Sequence, residues 1–556
     1  MESANQATIG IDFGTASVRA VVVDTATGRE LGEGEHAYRH GTEGVITDRA
    51  DTHLARQSAR DYVEGLRVSV QNALTAAEAA GFDRVGVVGI GVDTTGSSPI
   101  PVDVTGMPLA LDDRFAGNAD ALTWLWKDHT SHVETAEINE RVRGDRLPYL
   151  GPCGDSYSSE WYWAKLAHFL RTADPEVREA TGGWVELADF VPGYLAGRLD
   201  PKTMARGICP AGHKAMYDDE WGGLPSVGFL DSIEPGMGDF RYTTIAQSAI
   251  IPVGELIEEL AADFGLRPGI AVATGAFDAH TGAVGAGVAE GTLVKIIGTS
   301  TCDTTVVRGD RPLISGLCGS VPDSIIPGMA GLEAGQSAVG DIFNWFATTL
   351  APGSMSTSRR MAELEAEAAG INPGASGLVG LDWHNGNRSV LVDPLLSGAM
   401  VGMTLSTTPA EFYRALIEST AFGAQRIVEQ FEGNGVPIDR IVLSGGIAKK
   451  SPLLVQIYAD VTGRSIELAG TSQTCAVGAA ILASVAAGVY ESTEEAQSAM
   501  VPAPEMIVDP DPEAVKVYAD LFGLYRKLHD AFGVRGSGDL YDVMKELHRI
   551  RVGATG

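Results

Sequence analysis

The sequence is poor in the features that mark exported, membrane-bound and nucleic-acid-binding chains. Only five cysteines occur in 556 residues: Cys153, Cys209, Cys302, Cys318 and Cys475. Odd in number and never spaced Cys-x-x-Cys, they argue against a disulfide framework or a cysteine zinc site and fit a reducing compartment. The opening MESANQATIG has no basic stretch leading into an apolar one, so no signal peptide is expected. The longest apolar run, 477–490, is too short and too rich in Ala and Gly to span a bilayer, and a cytoplasmic location is expected. Positive charge is scarce: 41 Lys+Arg stand against 72 Asp+Glu, a net charge of −31. Such a surface repels phosphate backbones and anionic lipid, so nucleic acid and membranes are poor partners. A nucleotide binds such a chain only where local amides and Mg²⁺ overcome the global field.

The common phosphate signatures are missing too. There is no G-x-x-x-x-G-K-[ST] loop and no His-Arg-Asp triplet, and Gly285-x-Gly287 meets Glu290 where a dinucleotide fingerprint needs its third glycine. His129, His213 and His280 form no ligand-spaced pair, which favours structural or hydrogen-bonding roles over a metal.

What is present is an α/β pattern over a length that exceeds one ordinary core, so two domains are expected. Strands are expected at 8–12, 18–24, 85–93, 270–275, 293–297 and 441–443. Helical spacing runs through 60–80, 255–264, 411–431 and 452–461, with a last amphipathic stripe of Tyr518, Leu521, Phe522, Tyr525, Leu528 and Phe532. A Gly/Pro-bearing stretch at 265–269 is the least committal boundary, giving domains 1–266 and 267–556.

One internal echo carries chemistry. IGIDFGTASVRAVVV (9–23) and KIIGTSTCDTTVV (295–307) are both strand, Gly-Thr turn, strand, half a chain apart. Such a repeat suggests two like lobes facing one cleft. Glycine lets a turn approach a phosphate, exposed N–H groups donate to it, and hydroxyls add more. Asp12, one step before the first turn, is a candidate Mg²⁺ ligand, and Arg19 adds positive charge. A third glycine turn follows a strand at Ser444-Gly445-Gly446. Either Gly-Thr turn alone is as readily an ordinary hairpin; the set is not.

DFGT-x-S-x-R, GAFD, GTST and SGG, in this order, resemble the FGGY carbohydrate kinases of the actin/Hsp70/sugar-kinase superfamily, and the similarity runs end to end. It implies an α/β fold of two actin-like (ribonuclease H-like) lobes flanking a nucleotide and sugar cleft, with ATP and Mg²⁺ as cofactors. By that resemblance Gly14, Thr15, Ser17 and Arg19 form the first phosphate loop and Gly298 and Thr299 the second, while Gly445 and Gly446 lie against the adenosine. Asp278 is the catalytic base; a helix N-cap is the bland alternative for an Asp at that position. WKDH (126–129), AGHK (211–214), GVDTTGSS (91–98) and GLEAGQSA (331–338) resemble the branch that phosphorylates O5 of L-ribulose in L-arabinose catabolism. Carried over by position, Thr95, Gly96, Trp126, Lys214, Asp278 and Glu333 line the sugar pocket. The loop 382–388, DWHNGNR, resembles a family loop with His384 and Asn387 as departures, and is a candidate for tuning specificity among ketopentoses.

Competing expectations are another kinase of the family, acting on D-ribulose, xylulose or glycerol, and an actin- or Hsp70-like ATPase switch. A homodimer is compatible with the exposed-looking helices, though nothing in the pattern specifies one.

Overall fold

The computed structural model describes residues 6–351, 353 and 356–555. Two seven-stranded sheets organise it, and they share one plan. In the first, Ala7–Phe13, Ser17–Asp24 and Glu30–Ala37 form an antiparallel meander. On the other side of Ala7–Phe13, Val87–Thr94 and then Ala271–Ala273 add in parallel. In the second, Thr292–Ile297, Thr301–Arg308 and Met329–Ala334 repeat the meander, and Arg440–Ser444 and Ile466–Leu468 repeat the parallel pair. The sequence echo between the Gly-Thr turns is therefore the visible part of a duplicated topology.

Local sequence explains the elements around the first sheet. The helix Ala59–Ala79 starts where the Ser58 hydroxyl accepts the Arg60 N–H. It buries Tyr62, Leu66, Val70, Ala73, Leu74 and Ala77, an i, i+3, i+4 stripe, beneath the sheet. Val87–Thr94 is buried almost throughout, as a parallel strand covered on both faces must be. Two expectations shift. Residues 84–86 form a 3₁₀ turn rather than the start of that strand. The helix expected over 255–264 begins only at Glu258, because Pro252–Glu255 pairs as an edge strand with Ala271–Ala273.

Sheet membership also departs from a division at 266/267. Ala271–Ala273 and Ala276–Phe277 both pair with Val87–Thr94, so the first sheet keeps the chain up to Phe277. The helix Asp278–Gly285 then leads toward the second lobe. It packs on Thr474–Ala486, and glycine makes that contact possible: a Cβ on Gly478 would run into the Thr281 carbonyl, and one on Gly285 into that of Thr474. Thr474–Ala486 crosses back onto the first sheet. A Cβ on Gly10 would strike Ala476, one on Gly91 would strike Ala479, and the Thr8 hydroxyl donates to the Ala480 carbonyl at 2.8 Å. The apolar cluster at this junction draws Val21 and Val23 from one half and Val442, Val477 and Ile481 from the other. Between Val87–Thr94 and Pro252–Glu255 the chain builds an aromatic module around Trp124, Trp163 and Trp184, which forms one wall of the cleft.

Candidate active site

A cavity of about 210 Å³ lies between the lobes, lined by Thr95, Gly96, Trp126, Lys214, Asp278, Gly298, Thr299 and Glu333, among others. Residues spread over 239 positions of sequence thus meet at one place. Each is placed by a different device.

Thr95 and Gly96 follow Val87–Thr94 and are held from below. The buried Lys165 ammonium donates to the carbonyls of Ser97, Trp124 and Leu125 at 2.8, 3.2 and 2.7 Å. Glu186 accepts the Ser98 N–H at 2.9 Å and the Ser97 hydroxyl. Gly96 is packed against the Phe277 ring, where a Cβ has no room. Burial pulls Lys165 down to about 7 and pushes Glu186 up to about 7, so this pair holds the loop with its charges poorly solvated. Trp126 leaves the aromatic core to which Trp124 belongs and donates its indole N–H to the Thr15 hydroxyl at 3.1 Å. That bond ties the first Gly-Thr turn to the cavity wall that carries Trp126.

The turns themselves differ in bracing. In the first, the Gly14 N–H closes onto the Ser17 carbonyl at 3.0 Å, and Gln57 donates to the Thr15 carbonyl at 2.7 Å. Ser17 is the first residue of its strand, and its hydroxyl donates to Glu35 at 2.7 Å. Arg19 also donates to Glu35, at 3.1 Å, and its guanidinium stands 3.9 Å from Asp12. In the second, the N–H groups of Val339 and Gly340 donate to the carbonyls of Thr299 and Gly298, which fixes the turn by its acceptors. Beneath it the buried Lys295 ammonium donates to both Asp303 oxygens, at 2.9 and 2.8 Å, and to Gln336 Oε1 at 2.8 Å. Gly445, in the left-handed region at φ +102°, packs against the Ile297 carbonyl, and Gly446 opens a short helix with free space beside it.

Asp278 is the first residue of its helix, and its Oδ1 accepts the following N–H of Ala279 at 2.7 Å. Burial and the neighbouring Asp12 push its carboxyl up to about 7. Asp93, cross-strand from Asp12, is fully buried with neither carboxylate oxygen hydrogen-bonded, and burial and Asp12 raise its carboxyl well above the usual range. Asp12 is also raised, chiefly by burial, against the pull of Arg19. Asp12 stands out in the sequence by its place before the first Gly-Thr turn, and Asp93 does not. The signal was there in VD before TTG, at the carboxyl end of the strand beside Ala7–Phe13, but only the strand register pairs the two. Two carboxyl groups side by side, with only the Arg19 guanidinium, 3.9 Å from Asp12, opposing their charge, fit a hard divalent cation with oxygen ligands.

Glu333 lines the same cavity as Asp278. Lys214 Nζ donates to both of its oxygens at 3.1 Å, and His213 Nδ1 and His280 Nε2 lie 3.5 and 3.6 Å from Oε2. The Lys214 ammonium, more than any other neighbour, holds Glu333 far below the usual carboxylate range despite its burial. Lys214 is thus buried and paired rather than a solvated surface group. The rings of His213 and His280 meet at 4.3 Å between centres, tilted by 37°, a contact that their spacing in sequence concealed. His129 instead meets the Ser159 hydroxyl at 3.0 Å. From 382–388 only Arg388 lines the cavity, and it donates to Glu160 of the opposite wall at 3.1 Å. His384 lies against Trp345, and Asn387 accepts the Leu391 N–H.

Two like lobes, each with a Gly-Thr turn at the cleft, define the architecture of the actin-like sugar kinases. Solved structures agree: xylulose kinase from Rhodospirillum rubrum superposes with a TM-score of 0.78 at 22% identity, covering 95% of this chain and 99% of that one. Residues 293–487 match the FGGY family of carbohydrate kinases, C-terminal domain. A ribulokinase from Vibrio parahaemolyticus is 40% identical over 94% of this chain and 95% of its own length. Another, from Mycolicibacterium smegmatis, is 42% identical over 94% of each. The chain belongs to the FGGY family of carbohydrate kinases. Among the described residues no helix is long and apolar enough to cross a membrane.

Proposed function

We propose that the protein phosphorylates L-ribulose at O5 with ATP, giving L-ribulose 5-phosphate, and that Asp278 is the general base. The observation that carries this reading is the pairing of opposites across one cavity. Asp278, a carboxyl raised to about 7, faces a Lys214–Glu333 pair that stays fully charged.

A base works best with a proton affinity near the operating pH, and Asp278 has it. It takes the proton of the terminal hydroxyl as that oxygen attacks the γ-phosphorus in line and the bond to ADP breaks. Thr15 and Thr299 offer N–H groups and hydroxyls to the phosphates, while the Gly14 and Gly298 N–H groups close the two turns onto the Ser17 and Ser300 carbonyls, and Arg19 adds positive charge beside Asp12. Lys214 and Glu333 hold sugar oxygens as donor and acceptor, with the Trp126 face against the carbon skeleton. Asp12 and Asp93 are the residues that would hold Mg²⁺, which when bound neutralises charge on the phosphates. Gly446, with open space beside it, leaves room for the adenosine side of the nucleotide, and Gly445 sets the turn that places it.

The deciding assay couples ADP release to a dye-linked readout over L-ribulose, D-ribulose, D-xylulose, L-xylulose, glycerol and gluconate. L-Ribulose is expected to give the highest kcat/KM. A preference for D-xylulose or glycerol would refute the substrate, and ATP turnover indifferent to every sugar would refute the transfer itself.

A further inference from the structure

Behind Glu333 lies a cluster that the phosphoryl-transfer mechanism leaves unused. His213 and His280 are both buried, and three of their four ring nitrogens have no hydrogen-bond partner. Buried imidazoles are normally satisfied, so these nitrogens ask for a ligand.

The hydrogen-bond pattern says what kind. The Ser324 hydroxyl donates to the Val321 carbonyl at 2.9 Å, so its oxygen can only accept from His213 Nε2 at 3.1 Å. That fixes the proton of neutral His213 on Nε2 and leaves a bare lone pair on Nδ1, turned toward the Glu333 carboxylate at 3.5 Å. Two acceptors thus face each other with no hydrogen between them. His280 lines the cavity and brings its Nε2 to 3.6 Å from the same Glu333 oxygen, too long for a direct bond and short enough for one oxygen atom to touch both. A group that satisfies this set must accept from His280 and donate to Glu333 or His213. A hydroxyl does both, and a carbonyl does only the first. A divalent metal fits less well. Lys214 already neutralises Glu333, and a second cation beside it would leave buried charge uncompensated.

We infer that His280 is a specificity-determining residue that donates to one secondary or primary hydroxyl of the ketopentose, with Glu333 accepting that hydroxyl's hydrogen bond and His213 positioning both. The inference rests on the sugar-kinase reading above and adds to it a hydroxyl-reading subsite apart from the transferring end. Burial supports it, since it keeps both imidazoles neutral through the physiological range.

The test pairs wild type and His280→Leu with L-ribulose and its 1-deoxy, 3-deoxy and 4-deoxy forms. His280→Leu is expected to lower kcat/KM on L-ribulose on the order of 10²-fold, mainly through KM. One deoxy sugar should cost wild type a similar factor yet cost the variant less than about threefold, because the contact is already gone. His280→Gln keeps a donor and an acceptor and should recover most of the loss, which a purely structural role would not permit. It also serves as the reporter if His280→Leu fails to fold. If the losses multiply for every deoxy sugar while wild type turns over L-ribulose, the inference is overturned and the kinase reading stands. If wild type is inert on every ketopentose, both fall. A tetrahedral Co²⁺ absorption band in the apoenzyme, abolished in His213→Gln and His280→Gln alike, would overturn it in favour of a metal site.

Discussion

Replacing Asp278 by Asn separates catalysis from stability in a way that depends on pH. Asp278 rises from an ordinary 3.8 to about 7 in the fold. A shift of that size corresponds to roughly 4 kcal/mol for holding the ionised form in the cavity, and less where cavity water screens it. The sign follows from linkage. A raised carboxyl does not weaken the fold below pH 3.8, weakens it progressively up to about 7, and weakens it fully above. Asp278→Asn removes that penalty and keeps an oxygen for the Ala279 N–H. The variant should therefore unfold at a higher urea midpoint than wild type at pH 8.5, by about 1–3 kcal/mol, and match it near pH 4. Phosphoryl transfer should fall by about 10²–10⁴-fold while ATP binding, read by calorimetry, persists. If Asp278 were mainly a helix cap, the variant would be no more stable at high pH than at low, and turnover would stay near wild type. That result would refute the assignment of Asp278 as base and the electrostatic account of its environment together.

Wild-type kcat/KM on the sugar should lose activity as pH falls through about 7, where free-enzyme Asp278 takes up its proton, and run flat above; a profile flat from pH 5 to 8 would count against it. Lys214→Met leaves Glu333 buried without its ammonium and should cost about 3–5 kcal/mol in urea unfolding at pH 7, besides raising KM for the sugar. Gly478→Ala drives a methyl into the Thr281 carbonyl where the two linking helices touch; a loss of about 1–3 kcal/mol is expected, and a neutral effect would show the helices free to separate. Arg388→Ala and Glu160→Ala each open the ion pair that spans the cleft. A double-mutant cycle on kcat/KM should show coupling of about 1–2 kcal/mol, and additive losses would mean the pair does not hold the walls together in the working enzyme.

Much of this was legible in the chain. The Gly-Thr echo gave the duplicated lobes, because a phosphate turn between two strands needs the same short string wherever it occurs. Asp278 stood at the end of an apolar run, where chemistry concentrates in α/β folds. What escaped reading depended on contacts distant in sequence. Asp93 acquires its meaning from lying in register with Asp12, and His213 from meeting the His280 ring. Nothing in the stretch around Lys165 declares its role, yet its ammonium fixes the loop that presents Gly96. The boundary at 266/267 followed a Gly/Pro stretch, whereas sheet pairing continues to Phe277, since backbone hydrogen bonds and not flexibility decide which strand belongs where.

The crossing helix Thr474–Ala486 also sets the order in which the protein can be completed. The sheet face around Gly10 and Gly91 is made early on the ribosome, but the segment that covers it follows several hundred residues later. At about 5–20 residues per second, that face stays bare for tens of seconds or more. The nascent N-terminal half must wait in a form prone to capture by chaperones, and a chain stopped before residue 474 should be aggregation-prone rather than half an enzyme.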